Sequence, residues 1–237
     1  HEPLQPQPMN FLLGRLANNP AVLACTEQQA FLSASSLTEE ALILAASYAQ
    51  HPRPMLIVKN NLYTAQRLAE KLKSLVSPQV CALFSVEETL RVEAIAASPE
   101  ATAEKVETLN RLLNEDQLIC VTHASALVRY LPSPAQFKLC TIVLKTGMEV
   151  SMNELKRTLI AAGYQQTARV DQPLCFASRG GIIDIYSINS ETPVRIEFFD
   201  TEIESIRTFD IATERTVEVK GDSEIVPASD LVLDDEQ

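Results

Sequence analysis

Residues 179–210 read RGGIIDIYSINSETPVRIEFFDTEIESIRTFD. Three runs within them, Ile182–Tyr186, Val194–Phe199 and Glu202–Phe209, are rich in β-branched and aromatic residues. Turn formers at Gly180-Gly181, Asn189-Ser190 and Asp200-Thr201 punctuate them. A further short run, Phe176-Ala177-Ser178, comes before. Upstream of it one helix is predicted from Asn153 to Ala161, opened by Ser151 as N-cap and ended by Gly163. One helix on an antiparallel meander makes residues 148–230 an α+β domain.

The chain before Gly147 follows another grammar. Met55-Leu56-Ile57-Val58 is the unbroken apolar run of a buried parallel strand. Leu62, Ala65, Leu68, Ala69, Leu72 and Leu75 then recur at helical spacing. Gln29–Leu32, Val80–Phe84, Leu118–Thr122 and Leu139–Leu144 read as further strands. Helices are predicted over Thr38–Ala49, with Thr38 as N-cap, and over Glu100–Leu113. Strands alternating with helices argue for an α/β domain over residues 9–147, its parallel sheet covered on both faces. Residues 1–8 (HEPLQPQP) read as a flexible lead-in and residues 231–237 as an acidic linker.

Charge and composition exclude several functions. The net charge is −11, and residues 149–237 hold 8 Lys/Arg against 18 Asp/Glu. A module this acidic repels phosphate backbones, so direct nucleic-acid binding is not expected. Six glycines in 237 residues cannot be assembled into either phosphate-binding glycine motif. The five cysteines form no C-x-x-C pair and read as small apolar residues of a reducing cytoplasm. No apolar run approaches the roughly 18–20 residues of a membrane span. Three histidines offer no triad and no metal cluster; His123 reads as a helix-start residue.

In a parallel α/β sheet the first strand-to-helix turn is where phosphate binding is sought. Here it is Phe31-Leu32-Ser33-Ala34-Ser35-Ser36-Leu37-Thr38, without the glycines that cradle a phosphate or the lysine that contacts it. It reads as a structural loop. Catalytic and metal residues are expected to be none, and cofactors none.

Side chains alternate across Val194–Phe199. Val194, Ile196 and Phe198 form the core face, while Arg195, Glu197 and Phe199 form a charged row ending in an aromatic. That row has the composition of an interface hot spot. It equally fits a solvated cross-strand pair with Phe199 folded under the turn. Arg179, before Gly180-Gly181, could be aimed onto the same side as Arg195. Its alternative is an ion pair with Asp184 or Glu197. Those two carboxylates could also be posed as an acid/base pair, but no histidine or metal ligand accompanies them.

The segment Gly163–Asp210 resembles the second domain of the nucleotide-excision-repair helicase UvrB. It resembles still more the corresponding domain of bacterial transcription-repair coupling factors. Three blocks in order carry the likeness: Arg179–Ile185, Val194–Phe199 and Glu202–Arg207. More loosely, SASSLTEEALILA falls where the helicase has its phosphate loop, and the stretch from Ala97-Ser98-Pro99 is similar to coupling factors. UvrB has an intact phosphate loop and a tyrosine-rich DNA-clamping hairpin. This chain lacks the first, and residues 85–129 contain no Phe, Tyr or Trp.

The resemblance implies the N-terminal region of a coupling factor: a degenerate helicase-like domain followed by a UvrA-docking domain. The implied function is recruitment of the excision-nuclease component UvrA, with Arg179, Arg195, Glu197 and Phe199 as partner-binding residues. RNA polymerase, DNA and a masking C-terminal domain would be partners of the full-length protein. ATP would serve only motor domains outside this chain. Arginines frequent in UvrB are replaced here by Gln166 and Ala177. The alternative is an ATP-dependent DNA helicase domain of the UvrB type.

Overall fold

The computed structural model describes residues 8–26, 33–34, 36–86, 99–128 and 131–228. Its helices are α1 (Pro8–Arg15), α2 (Pro20–Ala24), α3 (Leu37–Gln50), α4 (Leu62–Leu75), α5 (Pro99–Asn114), α6 (Ala124–Leu127), α7 (Pro134–Cys140) and α8 (Met152–Ala161). The early strands are β1 (Met55–Lys59), β2 (Cys81–Leu83), β3 (Ile119–His123), β4 (Ile142–Lys145) and β5 (Gln165–Gln166). The later ones are β6 (Cys175–Arg179), β7 (Ile182–Tyr186), β8 (Val194–Phe199), β9 (Glu202–Phe209), β10 (Thr216–Lys220) and β11 (Asp222–Ile225). The chain divides into two compact units: His1–Leu90 with Asn114–Arg129, and Arg91–Leu113 with Tyr130–Gln237.

The first unit holds a parallel sheet in the order β1-β3-β2. Helices α3 and α4 lay their apolar faces on one side of it. Ala41, Ala45, Leu68 and Leu72 pack there with Ile57, Ile119 and Val121. Asn61 starts α4 by accepting the Thr64 amide at 2.8 Å. The α/β reading is correct for this unit, with two corrections. Ser36, not Thr38, caps α3, its Oγ accepting from the Glu39 amide at 3.2 Å. Strand β1 is not buried on both faces either. It is an edge strand of the described sheet, and Leu56 and Val58 are 63% and 43% exposed. The strand expected at residues 29–32 lies outside the described residues.

The second unit is built on a six-stranded sheet, β10-β9-β8-β7-β6-β5, antiparallel except for the β5–β6 pair. Its inner face carries Phe176, Ile183, Ile185, Ile196, Ile203 and Ile206 against Leu155 and Leu159 of α8. Ser151 caps α8 through the Glu154 amide, and Gly163 follows it at φ +91°. The meander is as expected for β7, β8 and β9. The Leu139–Leu144 reading needs correction. Leu139 and Cys140 finish α7, and the strand begins at Ile142. That strand, β4, pairs antiparallel with β11 in this unit rather than joining the parallel sheet. Leu144 of β4 and Ile225 of β11 belong to the core over α8.

Candidate interaction surface

Two tight turns fix the outer face of the six-stranded sheet. Arg179 and Ile182 pair across Gly180-Gly181, where Gly180 has φ +59°. Positive φ at the first loop position is what a two-residue hairpin requires. Phe199 and Glu202 pair across Asp200-Thr201, where Asp200 takes φ +58°. Aspartate is among the few residues with a side chain that tolerate that region. Both turns lie at the same end of the sheet. Register therefore sets Arg179, Ile182, Glu197 and Ser205 in one row across β6–β9, and Ala177, Asp184, Arg195 and Arg207 in the next.

The burial pattern along β8 alternates as the sequence predicts: Val194, Ile196 and Phe198 are buried, Arg195 and Glu197 half-buried, and Phe199 exposed. The charged residues, however, are not free. Arg195 Nε and Nη2 donate to the two carboxylate oxygens of Asp184, each at 2.7 Å. The same guanidinium lies 4.5 Å from the centroid of the Phe209 ring. Hydrogen bonding to Asp184 holds the Arg195 pKa above its ordinary value against partial desolvation. Glu197 accepts from Ser205 Oγ at 2.8 Å and from Arg207 Nη2. Arg195 and Arg207 face each other directly across β8 and β9. Arg195 is balanced by Asp184 on the neighbouring strand β7, and Arg207 by Glu197, two residues along β8 from Arg195.

The solvated-pair alternative is therefore half right. The charges are paired, but Arg195 with Asp184 and Glu197 with Arg207, and the pairs are largely withdrawn from solvent. Phe199 does not fold under the turn; it is 73% exposed. Arg179 is exposed and has no ion pair with Asp184, whose oxygens accept from Arg195, or with Glu197, whose oxygens accept from Arg207 and Ser205. The free face is thus Phe199 and Arg179 with half-buried Ile182 between their strands. Arg207 is a member of the network that sequence reasoning did not assign, and Asp184 entered that reading only as a partner for Arg179 or as an acid/base group, not as the partner of Arg195. Their positions on the outward register of β9 and β7 are the signal that could have found them.

The other end of this face is covered. Val170 is buried with Cys175 and Ala177, and Tyr186 packs beside them. Next to it, Arg169 Nη2 donates to the Ile211 carbonyl at 2.9 Å and lies 3.2 Å from the Glu214 carboxylate. The segment before β6 thereby crosses the outer face from β6 to the residues that follow β9, and leaves the two-turn end open. Ala177, where UvrB often has arginine, lies under this strap. Gln166 is exposed on β5.

In the first unit, the turn before α3 presents Ser36 Oγ to the helix amides, and Glu39 and Glu40 stand in the first turn. Lys59 holds Glu40 at 2.8 Å. The first turn of α3 thus carries two carboxylates, a charge that opposes binding of an anion at that N-terminus. His123 is fully buried at the start of α6, its Nε2 accepting from the Val86 amide at 3.2 Å. Among the described residues no cluster of His, Cys, Asp and Glu could hold a metal, and no helix is long and apolar enough to cross a membrane.

Residues 142–231, which include the whole six-stranded sheet, match the UvrB interaction domain family. Over 185 residues the chain is 36% identical to the transcription-repair-coupling factor of Bacillus subtilis, covering 78% of this chain and 16% of that protein. It is 31% identical over 210 residues to the same factor of Staphylococcus epidermidis, 89% of this chain and 18% of the relative. The Staphylococcus aureus factor is 30% identical over 194 residues, 82% and 16% respectively. The chain spans less than a fifth of the length of these relatives.

Proposed function

We propose that this chain, homologous over most of its length to one stretch of the transcription-repair-coupling factors, is a non-catalytic docking module for UvrA. It would recruit the excision nuclease to sites of transcription-coupled repair. The observation that carries this reading is the open end of the outer sheet face. There Phe199 stands 73% exposed, and Arg179, exposed and without an ion pair among the described residues, lies on the same face, inside the region that matches the UvrB interaction domain. An exposed aromatic with an arginine beside it is the composition of a binding hot spot. The partner-binding set is Arg179, Arg195, Glu197 and Phe199, the middle two acting from within their ion pairs.

The parallel-sheet unit is a degenerate helicase-like domain that holds no nucleotide; the carboxylates at the start of α3 support that part of the reading. The chain works as the N-terminal region of a soluble cytoplasmic factor. RNA polymerase, DNA and a masking C-terminal domain engage the remainder of the full-length protein, as does ATP.

The test is titration of this chain into purified UvrA by calorimetry, with Phe199→Ala and Arg179→Ala alongside. Micromolar binding by the parent, weakened roughly tenfold or more by each substitution, supports the reading. Binding indifferent to both substitutions, or no binding between folded and active partners, overturns it.

A further inference from the structure

Arg195 has five N–H donors, and the Asp184 carboxylate takes two of them, one on Nε and one on Nη2, both at 2.7 Å. The Phe209 ring lies 4.5 Å beneath the guanidinium. A guanidinium held side-on and flat has one remaining edge, made of Nη1 and the second Nη2 hydrogen. Its side chain retains 20% of its exposure. We propose that Asp184 is a positioning residue of the docking face. By clamping Arg195 side-on it presents that edge, as a fixed fork, to a carboxylate or carbonyl of the partner.

The inference rests on the docking reading, since it concerns how that same face meets UvrA. Without Asp184 the arginine keeps its charge but regains its rotamers. The partner's acceptor would then have to order a mobile side chain on binding. A lysine at 195 would keep the charge and supply no fork.

The test is a double-mutant cycle of Asp184→Ala with Arg195→Ala on binding to purified UvrA, using Phe199→Ala as an independent reference. Asp184→Ala should weaken binding roughly tenfold. It should add nothing further in the Arg195→Ala background, yet add fully in the Phe199→Ala background. Arg195→Lys should be as weak as Arg195→Ala. A merely structural Asp184 would instead lower the melting temperature and reduce binding only in proportion to the unfolded fraction, and that result overturns the proposal. So does parent-like affinity of Asp184→Ala. Should Arg195→Ala abolish measurable binding, nitrogen-15 NMR of the Arg195 Nε–H decides. A signal still protected in Asp184→Ala, while affinity falls, overturns the positioning role. If Phe199→Ala and Arg179→Ala weaken binding while Asp184→Ala does not, only this inference fails. If none of the three matters, the docking reading fails with it.

Discussion

Asp184 and Arg195 face each other across β7 and β8 and meet through two hydrogen bonds of 2.7 Å, with the guanidinium stacked over Phe209. The carboxylate and the guanidinium keep only 16% and 20% of their side-chain exposure. Each therefore depends on the other for its solvation.

Removing one partner leaves the other half-buried and unpaired. Arg195→Ala should accordingly lower unfolding stability by about 1–2 kcal/mol, and Arg195→Glu, which sets two carboxylates against each other, by more. Urea denaturation of the two variants should rank them in that order. Equal stability of Arg195→Glu and the parent would mean the pair contributes nothing to the fold. Affinity lost by Arg195→Glu must therefore be judged beside its stability.

Phe199 stands in the opposite situation. Its ring is exposed, and Glu202 is its partner across the turn. Phe199→Ser should shift stability by less than about 0.5 kcal/mol, the usual range for a surface site. A substitution that leaves the urea midpoint unchanged and still affects partner binding separates recognition from folding. A midpoint lowered by well over that amount would show the ring to be packed after all.

The sequence makes the alternation along β8 legible because a strand has a fixed period of two, and Val194, Ile196 and Phe198 leave no choice of face. Which acid Arg195 meets is a different matter. The β7–β8 register runs through the connection at 187–193, whose length no hairpin rule fixes, so Asp184 and Glu197 are equally open as arginine partners until the strands are paired. Strand β4 escapes a reading of its residues for the same reason at longer range. An apolar Ile142–Leu144 says it is buried, but its partner Ser223–Ile225 lies some eighty residues on. The capping difference at α3 is local: Ser36 and Thr38 are both good caps, and side-chain propensity alone does not choose between them.

Two adjacent glycines at 180 and 181 should respond differently to substitution. Gly180 has positive φ and open space where a Cβ would stand, so its cost is backbone strain alone. Asparagine, which tolerates that region, should replace it more cheaply than valine, by about 1 kcal/mol. At Gly181 a Cβ would lie 3.1 Å from the Phe198 carbonyl, whose own amide is bound to the Gly181 oxygen at 2.8 Å. Any side chain there presses β7 away from β8 beside Phe199, and asparagine gains nothing over alanine. Thermal melts of the four variants check the ranking. Indistinguishable Asn and Val variants at 180 would contradict the role given to φ.

Tyr164 carries a pH dependence that can be isolated. It follows Gly163, and its buried hydroxyl lies 2.7 Å from the Val226 carbonyl, to which it donates, and 2.9 Å from Ser187 Oγ. Desolvation pushes its pKa well above the ordinary phenol value. The unfolded chain therefore loses this proton first, near pH 10, while the folded chain keeps it. Its contribution to stability is complete below about pH 10 and declines as pH rises past it. Tyr164→Phe should cost about 1–2 kcal/mol at neutral pH, because the buried Val226 carbonyl loses its donor. The same variant should lose less further stability than the parent between pH 8 and about pH 11. Tyr48, whose pKa burial also raises, is present in both proteins, so it cancels in the comparison. Parallel stability curves for parent and variant over that interval would show that the Tyr164 phenol ionises as readily in the folded chain as in the unfolded one.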